Sequence, residues 1–474
     1  MTSDPILRDF AALLAAEPRR PLVASPRRRA TVADVDLAAG LLAGLVGRRE
    51  LGEGRLVGLA APNGPAFLAG FLALRRAGCV PILLDVAAPE PARAAVVAAL
   101  GGAGVLATGQ AWAAGAGEWS YLPAPAAASR RLAPELGAVK LTSGSTGAPR
   151  GIAVRAEALA ADDDQLTAVM GLSADDRMVA AVPLSHSYGF ASLALPALRR
   201  GALLLVAEER SPLAPLLAAR TGEATFFPTV PAFLGAFSRL AEPPPLPATL
   251  RLVVSAGAPL APETATSFRE RTGLPVHVFY GASECGGIAY DRVGGAAERG
   301  SVGEAIPHVA LELDAESGRL AVRSAAVADG YLPERSREDG SDTGTDLGGG
   351  RFLTGDLAAF SGRELRLLGR ADDLILVKGK KVNPREVEGV LRGLAGVTDV
   401  AVVGVPAPGA AGDQVRAVVA CPGGELAYEA VAAYCRSHLP EHKVPRSLVL
   451  VRDLPRTDRG KLDRAALLAL SGPS

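Results

Sequence analysis

The sequence predicts an α/β fold with a large N-terminal part and a small C-terminal domain. Up to about residue 300, short apolar runs alternate with helical patterns, which is typical of strands covered on both faces. Beyond about residue 301, apolar and polar residues alternate within the runs, which favours antiparallel strands with one solvated face. The chain has 474 residues. This length is too great for one ordinary hydrophobic core, because a domain averages roughly 150 residues.

The apolar runs of the first part predict strands with helices between them. A strand over 56–60 is followed by a helix through 66–76 and by a second strand over 80–84. Arg75 and Arg76 interrupt this apolar stretch, so it predicts a buried helix running into a strand and not a membrane span. Further strands are predicted over 178–182, 203–206 and 252–254.

The second part predicts shorter strands and then a separate domain of roughly 100 residues, which is enough for one small core. The strands are expected over 310–314, 320–323 and 400–405, and the domain boundary near 370–373. A helix begins after Asn383, which can cap it, with Pro384 at the first helical position and Glu386 at the capping-box position. One apolar face of this helix is formed by Val387, Val390, Leu391 and Leu394.

Composition excludes several classes of protein. The chain has 50 basic and 50 acidic residues, so its charge does not favour nucleic acid or an anionic membrane as a partner. Its four cysteines are widely spaced without a C-x-x-C pair, which argues against a zinc site and a disulfide framework. The same cysteine pattern predicts a cytoplasmic protein. The N-terminal apolar patch is interrupted by Arg8 and Asp9, so it does not predict a signal peptide.

The loop over 141–151 reads Leu-Thr-Ser-Gly-Ser-Thr-Gly-Ala-Pro-Arg-Gly and follows the end of an apolar run. Its glycines let backbone N–H groups converge and its hydroxyls add donors, so it can wrap a phosphate. A surface turn explains the same composition. The loop lacks the Gly-Lys-Ser/Thr ending of a Walker A loop and the G-x-G-x-x-G spacing of a dinucleotide fingerprint.

Four further motifs follow in order: Pro-Leu-Ser-His-Ser-Tyr-Gly over 183–189, Tyr-Gly-Ala-Ser-Glu over 280–284, Thr-Gly-Asp over 354–356 with Gly-Arg-Ala-Asp-Asp over 369–373, and Pro-Arg-Thr-Asp-Arg-Gly-Lys over 455–461. Together the five motifs span nearly the whole chain. In this order they resemble the adenylate-forming superfamily, and stand-alone acyl- and aryl-CoA synthetases in particular. The resemblance implies an N-terminal domain over 1–371 with two mainly α/β sheets and a distorted antiparallel β-barrel. It also implies a mobile α+β domain over 372–474.

The resemblance implies a nucleotide site. Glu284 would bind Mg²⁺, a hard ion suited to carboxylate and phosphate oxygens. Asp356 would accept hydrogen bonds from both ribose hydroxyls, with Arg370 as a second ribose contact. Arg150 stands where the family usually has lysine, which keeps the charge and changes its shape. The remaining ATP- or AMP-binding residues would be Thr142, Ser143, Gly144, Ser145, Thr146, Gly147, Ala256, Gly257, Ala258, Tyr280, Gly281 and Ser283.

The resemblance also implies catalytic and acceptor residues. Lys461 would stabilise charge at the reacting phosphate, and it is one of only six lysines in the chain. His186 would gate the acyl pocket or orient the carboxylate; a buried structural histidine is the alternative. It replaces the aspartate of amino-acid-activating relatives, which argues against an α-amino acid. Asp372 would be the hinge between the domains, and Gly379 and Lys380 would form the thiol tunnel. The acyl pocket would be lined by His186, Tyr188, Phe190, Val230, Gly281 and Ala282.

The expected activity is ATP-dependent conversion of a carboxylic acid to an acyl-adenylate, with release of pyrophosphate and transfer of the acyl group to coenzyme A. Mg²⁺ is the expected cofactor, with ATP, coenzyme A and a small carboxylate as substrates. Loading of a carrier protein's phosphopantetheine in trans uses the same motifs and is the alternative. A non-catalytic nucleotide-binding module is disfavoured because Glu284 and Lys461 are both present. The sequence does not distinguish an aryl from a fatty acid.

Overall fold

The structure is a computed structural model that describes residues 3–49, 51–124, 130–142, 150–208, 211–333, 347–377, 380–406, 413–422, 426–456 and 462–470. The chain divides into two compact units, and the α/β class expected from the sequence is confirmed. The first unit comprises residues 1–312, 321–353 and 361–365, and the second comprises 313–320, 354–360 and 366–474. The domain boundary predicted at 371/372 stays a prediction.

One sheet of the first unit has seven strands. Its four middle strands are parallel, and an antiparallel strand or pair of strands completes each side. The middle strands are rich in valine, leucine and isoleucine because both faces of a parallel sheet are covered. In spatial order the strands are Gly330–Leu332, Arg150–Arg155, Leu136–Thr142, Val80–Leu83, Leu56–Ala60, Gly104–Ala107 and Ser120–Pro123.

The second sheet of this unit combines a parallel centre with antiparallel margins. Five consecutive pairings along it are parallel, from Pro21–Ala24 to Val276–Ala282. Antiparallel pairs flank them at both ends. In spatial order, nine of the fourteen strands of this sheet are Arg29–Thr31, Pro21–Ala24, Leu203–Leu205, Arg177–Val179, Phe226–Thr229, Leu252–Ser255, Val276–Ala282, Gly286–Tyr290 and Glu304–Ala305.

Helices connect these strands. Helix Pro65–Arg76 is buried from its first residue to Arg75, so the prediction of a buried helix running into strand Val80–Leu83 is confirmed. The other helical segments are Pro5–Ala16, Val32–Gly47, Glu90–Ala99, Ala156–Met170, Ser187–Gly189, the π-helical Phe190–Ala194, Leu195–Arg200, Ala214–Thr221, Pro231–Ser238 and Pro262–Thr272, with a 3₁₀ turn at Ala116–Glu118. No helix in the described ranges is long and apolar enough to cross a membrane.

The strands predicted after residue 301 are present as Ala310–Leu313 and Arg319–Arg323, but the strict alternation expected in them is wrong. Four of the five residues of Arg319–Arg323 are buried. The Arg319 side chain tolerates this position because its Nε donates a hydrogen bond of 2.8 Å to the Thr354 carbonyl. The neighbouring strands in the chain are Leu347–Gly348, Arg351–Ser361 and Glu364–Arg370.

The second unit contains a three-stranded sheet with helices on both faces. Asp399–Pro406 pairs antiparallel with Asp413–Ala420, which pairs parallel with Ser447–Val451. Val400 and Val402 pack in one apolar cluster with helices Pro384–Leu391 and Tyr428–His438, and the intervening Ala401 and Val403 pack in another with Leu467. The remaining elements are the hairpin Ile375–Val377 and Lys380–Val382, helix Arg464–Ala469, and 3₁₀ turns Ala371–Asp373 and Glu441–Lys443.

The helix predicted after Asn383 begins as expected, but its capping box is wrong. The Asn383 side chain accepts a hydrogen bond from the Arg385 N–H at 3.0 Å, and Val387 and Leu391 are fully buried. The Glu386 carboxylate instead accepts two hydrogen bonds from the Lys443 ammonium, at 2.7 and 2.6 Å. The Glu386 carboxylate therefore pairs with the ammonium of Lys443, 57 residues further along the chain, and not with the backbone N–H of Asn383.

Candidate active site

Glu284 lies at the tip of a β-hairpin in the first unit. Strands Val276–Ala282 and Gly286–Tyr290 are antiparallel and pair Ala282 with Gly286. The Cys285 N–H donates a hydrogen bond of 3.2 Å to the Ala282 carbonyl and closes the turn. The Glu284 carbonyl accepts one of 2.8 Å from the Ala328 N–H. This hairpin, over 276–290, thus holds the backbone of the half-buried Glu284 in one position.

A contact between two hydroxyl groups joins the second and third sequence motifs. The Ser187 hydroxyl donates to the Ser283 hydroxyl at 2.7 Å, across 96 residues of chain. Ser187 begins the helical segment that directly follows His186. The predicted nucleotide residue Ser283 therefore lies beside the predicted acyl-pocket segment.

A second contact links the hairpin to the strand that follows the phosphate loop. The Tyr331 hydroxyl donates a hydrogen bond of 3.0 Å to Oε1 of Glu284. The Arg150 guanidinium carbon lies 4.0 Å from the centroid of the Tyr331 ring, within the range of a cation–π interaction. Thr142 pairs with Arg150 across two antiparallel strands, and the predicted phosphate-binding residues 143–147 between them lie outside the described residues.

Buried charges lie behind the hairpin. Asp162 of helix Ala156–Met170 accepts a hydrogen bond of 2.9 Å from the Gly287 N–H. Asp162 and Lys140 are each only 2% exposed. Burial raises the pKa of the Asp162 carboxyl, and the charge of Lys140 opposes that rise. Burial also raises the pKa of the Cys285 thiol well above its usual value, and the Glu284 and Asp162 charges add to this shift.

His186 lies beside a carboxylate. Its Nε2 is 3.6 Å from Oδ2 of Asp85, which follows strand Val80–Leu83, and the two side chains are about equally exposed, at 29% and 30%. The His186 side chain is therefore partly accessible, which fits gating of the acyl pocket or orientation of the carboxylate.

Two aromatic residues expected in the acyl pocket have different surroundings. The Tyr188 hydroxyl donates to the Val254 carbonyl at 3.0 Å, and burial raises the pKa of this hydroxyl. The Phe190 ring is fully buried, with its centroid 5.1 Å from that of Phe71. Phe190 thus packs into the core around helix Pro65–Arg76. Val230 is half-buried and occupies the N-cap position of helix Pro231–Ser238.

Three of the predicted ATP- or AMP-binding residues, at 256–258, follow the buried strand Leu252–Ser255. Ala256 is buried and Ala258 half-buried, and Gly257 between them has a φ of +85° and is exposed. At Gly281 an added Cβ would lie 2.7 Å from the Gly286 carbonyl oxygen, so the close pairing of the hairpin strands requires glycine there. Tyr280 and Ala282 flank it and are half-buried.

In the second unit, Asp356, Arg370 and Asp372 form an ion-pair group, here called the Arg370 patch. The Arg370 guanidinium lies 3.7 Å from Asp356 and 3.1 Å from Asp372. It crosses the backbone at Gly355, where an added Cβ would lie 2.4 Å from Nη2. The patch is open to solvent, with the Arg370 side chain 47% exposed.

The lysine motifs of the second unit lie at the ends of described elements. Lys380 is exposed and pairs with Val377 in a hairpin. Gly379, between these two residues, lies outside the described residues. Lys461 also lies outside them. The chain on either side of 457–461 is joined by an antiparallel bridge between Arg456 and Leu462. Arg456 forms an ion pair of 2.7 Å with Asp399.

The hairpin fits a magnesium ion that is shared with a nucleotide. No group of three or more histidine, cysteine, aspartate or glutamate residues in the described ranges could hold a metal by itself. Mg²⁺ needs only one or two protein carboxylates when phosphate oxygens supply the other ligands. Glu284 is half-buried, and its carboxylate accepts a hydrogen bond from the Tyr331 hydroxyl. A carboxylate oxygen of this kind is a donor that such a site uses.

Three contacting residues were missed by reasoning from sequence, namely Tyr331, Asp162 and Asp85. Only Asp162 carries a sequence signal. It shares a helix face with Leu159 and Leu166, both buried, and a carboxylate on an apolar face needs a partner. Tyr331 and Asp85 occur in short segments whose local pattern indicates nothing of their contacts.

Two α/β sheets, a small C-terminal unit and a carboxylate-bearing hairpin that is connected to Arg150 through Tyr331 define a two-unit α/β protein with a candidate nucleotide site. The chain belongs to the AMP-binding enzyme family. The family profile matches residues 10–332, and that of the AMP-binding enzyme C-terminal domain matches 386–461. The resemblance to the adenylate-forming superfamily is thereby confirmed.

Proteins similar in sequence include CoA synthetases and a lipopeptide synthase. The chain is 30% identical over 342 residues to a feruloyl-CoA synthase of Amycolatopsis sp, which covers 68% of the chain and 67% of the relative. It is 28% identical over 349 residues to the putative acyl-CoA synthetase YngI of Bacillus subtilis, covering 69% and 62%. It is 29% identical over 489 residues to an isonitrile lipopeptide synthase of Streptomyces coeruleorubidus, covering 94% and 32%. The matched part of the chain thus spans less than two thirds of the last two relatives.

Solved structures of the same fold match nearly the whole chain. ATP-bound MatB from Rhodopseudomonas palustris superposes with a TM-score of 0.83 at 24% identity, over 99% of this chain and 98% of that one. The amide bond synthetase McbA from Marinactinospora thermotolerans superposes with a TM-score of 0.80 at 27% identity, over 98% and 99%. The predicted α/β architecture with a small C-terminal domain is confirmed, whereas the predicted roles of individual site residues stay predictions.

Proposed function

We propose that the protein is an AMP-forming acid–thiol ligase that activates a carboxylic acid with ATP and transfers the acyl group to coenzyme A. The observation that carries this proposal is the convergence of three separate motifs on the hairpin tip. Ser187 contacts Ser283, and Arg150 and Tyr331 connect the end of the phosphate loop to Glu284. Chance turns at these positions would not be expected to meet.

In the first half-reaction a carboxylate oxygen attacks the α-phosphorus of ATP, and the bond to pyrophosphate breaks. Residues 142–147 and Arg150 hold the leaving pyrophosphate, and the Ser283 hydroxyl contacts the α-phosphate. Mg²⁺ bound through Glu284 would neutralise phosphate charge. Lys461 stabilises the negative charge that develops between the attacking carboxylate and the phosphate.

In the second half-reaction the thiol of coenzyme A loses its proton to solvent and its sulfur bonds to the acyl carbonyl carbon. The bond from that carbon to the phosphate oxygen breaks, and AMP leaves. Asp356 and Arg370 hold the ribose of the adenylate. Asp372 serves as the hinge that exchanges Lys461 for the Gly379–Lys380 segment, which forms the thiol tunnel. Hinges are a few residues that absorb a backbone change. The ion pair around Asp372 is exposed to solvent, so a backbone change there breaks no buried ion pair, which supports this role.

Exchange of radiolabelled pyrophosphate into ATP, measured over a panel of aryl, short-chain and long-chain acids, tests the first half-reaction. We expect at least one acid to support exchange. Lys461→Ala should lower that exchange by roughly 10²- to 10³-fold, in the range seen when one charge-stabilising donor is removed. The same variant should still form thioester from a supplied acyl-adenylate.

Lys443→Ala is the matched control for this variant. Lys443 also lies in the second unit, but its ammonium is paired with Glu386, and we expect both half-reactions to be retained. The proposed function would be contradicted if no acid in the panel supported exchange. Equal loss of both half-reactions in Lys461→Ala would also contradict it.

A carrier-bound phosphopantetheine is the second candidate for the acceptor. The alignment with the isonitrile lipopeptide synthase covers 94% of the chain, which favours a relationship to carrier-loading domains. Supplying coenzyme A and a phosphopantetheinylated carrier in separate reactions distinguishes the two acceptors. Thioester formed on the carrier alone would assign the protein to carrier loading.

A further inference from the structure

Arg150 and Tyr331 form a close pair in the first unit. The guanidinium carbon lies 4.0 Å from the ring centroid, and both side chains are half-buried. A cation over an aromatic face is attracted by the ring quadrupole, and the attraction grows as the pair is desolvated. Arg150 is therefore held by the ring as well as by its position at the end of the loop.

The other side of Tyr331 contacts an anion. Its hydroxyl donates a hydrogen bond of 3.0 Å to Oε1 of Glu284. A hydrogen bond to a charged carboxylate is stronger than one between neutral groups. The positive charge over the ring makes the phenol a better donor, because neighbouring polar interactions polarise one another. Tyr331 thus couples a cation on one side of its ring to a carboxylate at its hydroxyl end.

The backbone holds both ends of this coupling in place. Tyr331 pairs with Ile152 across antiparallel strands, two residues from Arg150. The N–H groups of Ala328 and Asp329 donate to the carbonyls of Glu284 and Ala153, at 2.8 and 2.9 Å. The segment 328–332 is thus fixed by hydrogen bonds to the hairpin tip and to the strand that begins at Arg150. The side-chain contacts of Tyr331 arise within a rigid frame.

We propose that Tyr331 is a positioning residue that orients the Glu284 carboxylate for a divalent cation, and that Arg150 acts on this cation through Tyr331. The inference rests on the proposed function, in which Glu284 binds the metal that accompanies ATP. The hydrogen bond to Oε1 restricts rotation of the carboxylate and so selects the orientation of Oε2. Hydrogen-bond partners of metal ligands typically change metal affinity about 10- to 100-fold.

The direct alternative is that Arg150 acts only on phosphate. A guanidinium in that role would not depend on the hydroxyl of Tyr331, so the two residues would contribute independently. Under the proposal, removing the hydroxyl removes the path from Arg150 to the carboxylate. A double-mutant cycle separates these cases because it measures the coupling of two residues.

The experiment measures binding of Mn²⁺, as a probe for Mg²⁺, by electron paramagnetic resonance in the presence of saturating α,β-methylene-ATP. The analogue prevents turnover, so the readout is metal affinity and not activity. The variants are Tyr331→Phe, Arg150→Lys and the double variant, with affinity for metal-free analogue measured in parallel.

Tyr121→Phe is a matched control, because the Tyr121 ring lies 4.9 Å from the Arg49 guanidinium carbon and its hydroxyl donates to the Ala103 carbonyl at 3.0 Å. It therefore loses the same kind of hydroxyl beside the same kind of cation, in another strand. We expect this control to leave Mn²⁺ affinity within about twofold of the wild type, since an outer-shell effect requires contact with the ligand.

We expect Tyr331→Phe to weaken Mn²⁺ binding by about tenfold. Arg150→Lys keeps the charge but removes the planar guanidinium that stacks on the ring, and it should weaken Mn²⁺ binding by roughly threefold. The double variant should be no weaker than Tyr331→Phe alone, and affinity for metal-free analogue should be unchanged in Tyr331→Phe.

Independent effects in the double variant, or equal losses of metal and metal-free binding in Tyr331→Phe, would overturn the inference while the proposed function stands. A wild-type protein that binds no Mn²⁺ with the analogue would overturn the proposed function itself. Thermal unfolding of each variant verifies that losses arise in folded protein.

Discussion

The hairpin at 276–290 and the Arg370 patch both carry candidate site residues, but they are held by different forces. Behind the hairpin, Lys140 and Asp162 are each 2% exposed and Cys285 is fully buried. In the patch, the Arg370 and Asp372 side chains are 47% and 35% exposed. Buried charges depend on their partners far more strongly than solvated ones, because water replaces a lost partner at the surface.

This difference separates two kinds of site. Around the hairpin, Lys140, Asp162 and Cys285 lie in the core behind Glu284, so a change there should affect stability and binding together. In the Arg370 patch, a change should affect binding or conformational exchange with little effect on stability. The metal-binding carboxylate and the hinge of the proposed function would need these two kinds of support.

The strongest test of the hairpin is Gly286→Ala. Gly286 has a φ of +69°, and an added Cβ would lie 2.3 Å from Oδ1 of the buried Asp162. We expect a loss of about 4 kcal/mol in the free energy of unfolding, from backbone strain and overpacking together. Urea-induced unfolding measures this loss, and affinity for the ATP analogue should fall with it.

Gly300→Ala is the control for backbone strain alone. Gly300 has a φ of +67° with open space where the Cβ would be placed. Its substitution should destabilise the protein by only about 1 kcal/mol. Equal losses for Gly286→Ala and Gly300→Ala would show that Asp162 does not pack tightly behind the hairpin.

A smaller loss is expected for Lys140→Met, which keeps the aliphatic stem and removes the charge. Asp162 would then be a buried carboxylate without its nearby cation, at an expected loss of about 3 kcal/mol in the free energy of unfolding. Adding Asp162→Asn should recover about half of it, because the uncompensated charge is gone. Losses that simply add in the double variant would contradict an electrostatic link between the two residues.

The sequence was sufficient for much of the fold because local pattern sets local structure. The helix through 66–76 and the strand from Val80 were predicted from apolar runs, and the structure has them within a residue. The Asn383 cap was predicted for the same reason, since it depends on its immediate neighbours. Burial of these elements then follows from their composition.

The contacts that organise the hairpin could not be predicted from the same patterns. Tyr331 meets Glu284 across 47 residues and Asp162 meets Gly287 across 125. The predicted capping box is absent for the same reason, because Glu386 forms an ion pair with Lys443, which is 57 residues away in the chain. The motifs predict which residues carry chemistry, whereas the residues that contact them are set by tertiary pairing.

The smallest effect is expected in the Arg370 patch. Asp372→Ala removes a solvent-exposed ion pair of 3.1 Å, and such pairs contribute about 0–1 kcal/mol. We expect the free energy of unfolding to change by less than about 0.5 kcal/mol. If Asp372 is the hinge, the balance between adenylation and thioester formation should shift although stability does not. Separate assays of the two half-reactions measure this balance.

Asp175→Ala is the control, since Asp175 is 96% exposed in a surface ion pair of 3.6 Å in the first unit. A loss above about 1.5 kcal/mol in Asp372→Ala would exceed any exposed ion pair. The patch would then be as rigidly built as the hairpin, and the distinction between the two regions would fail.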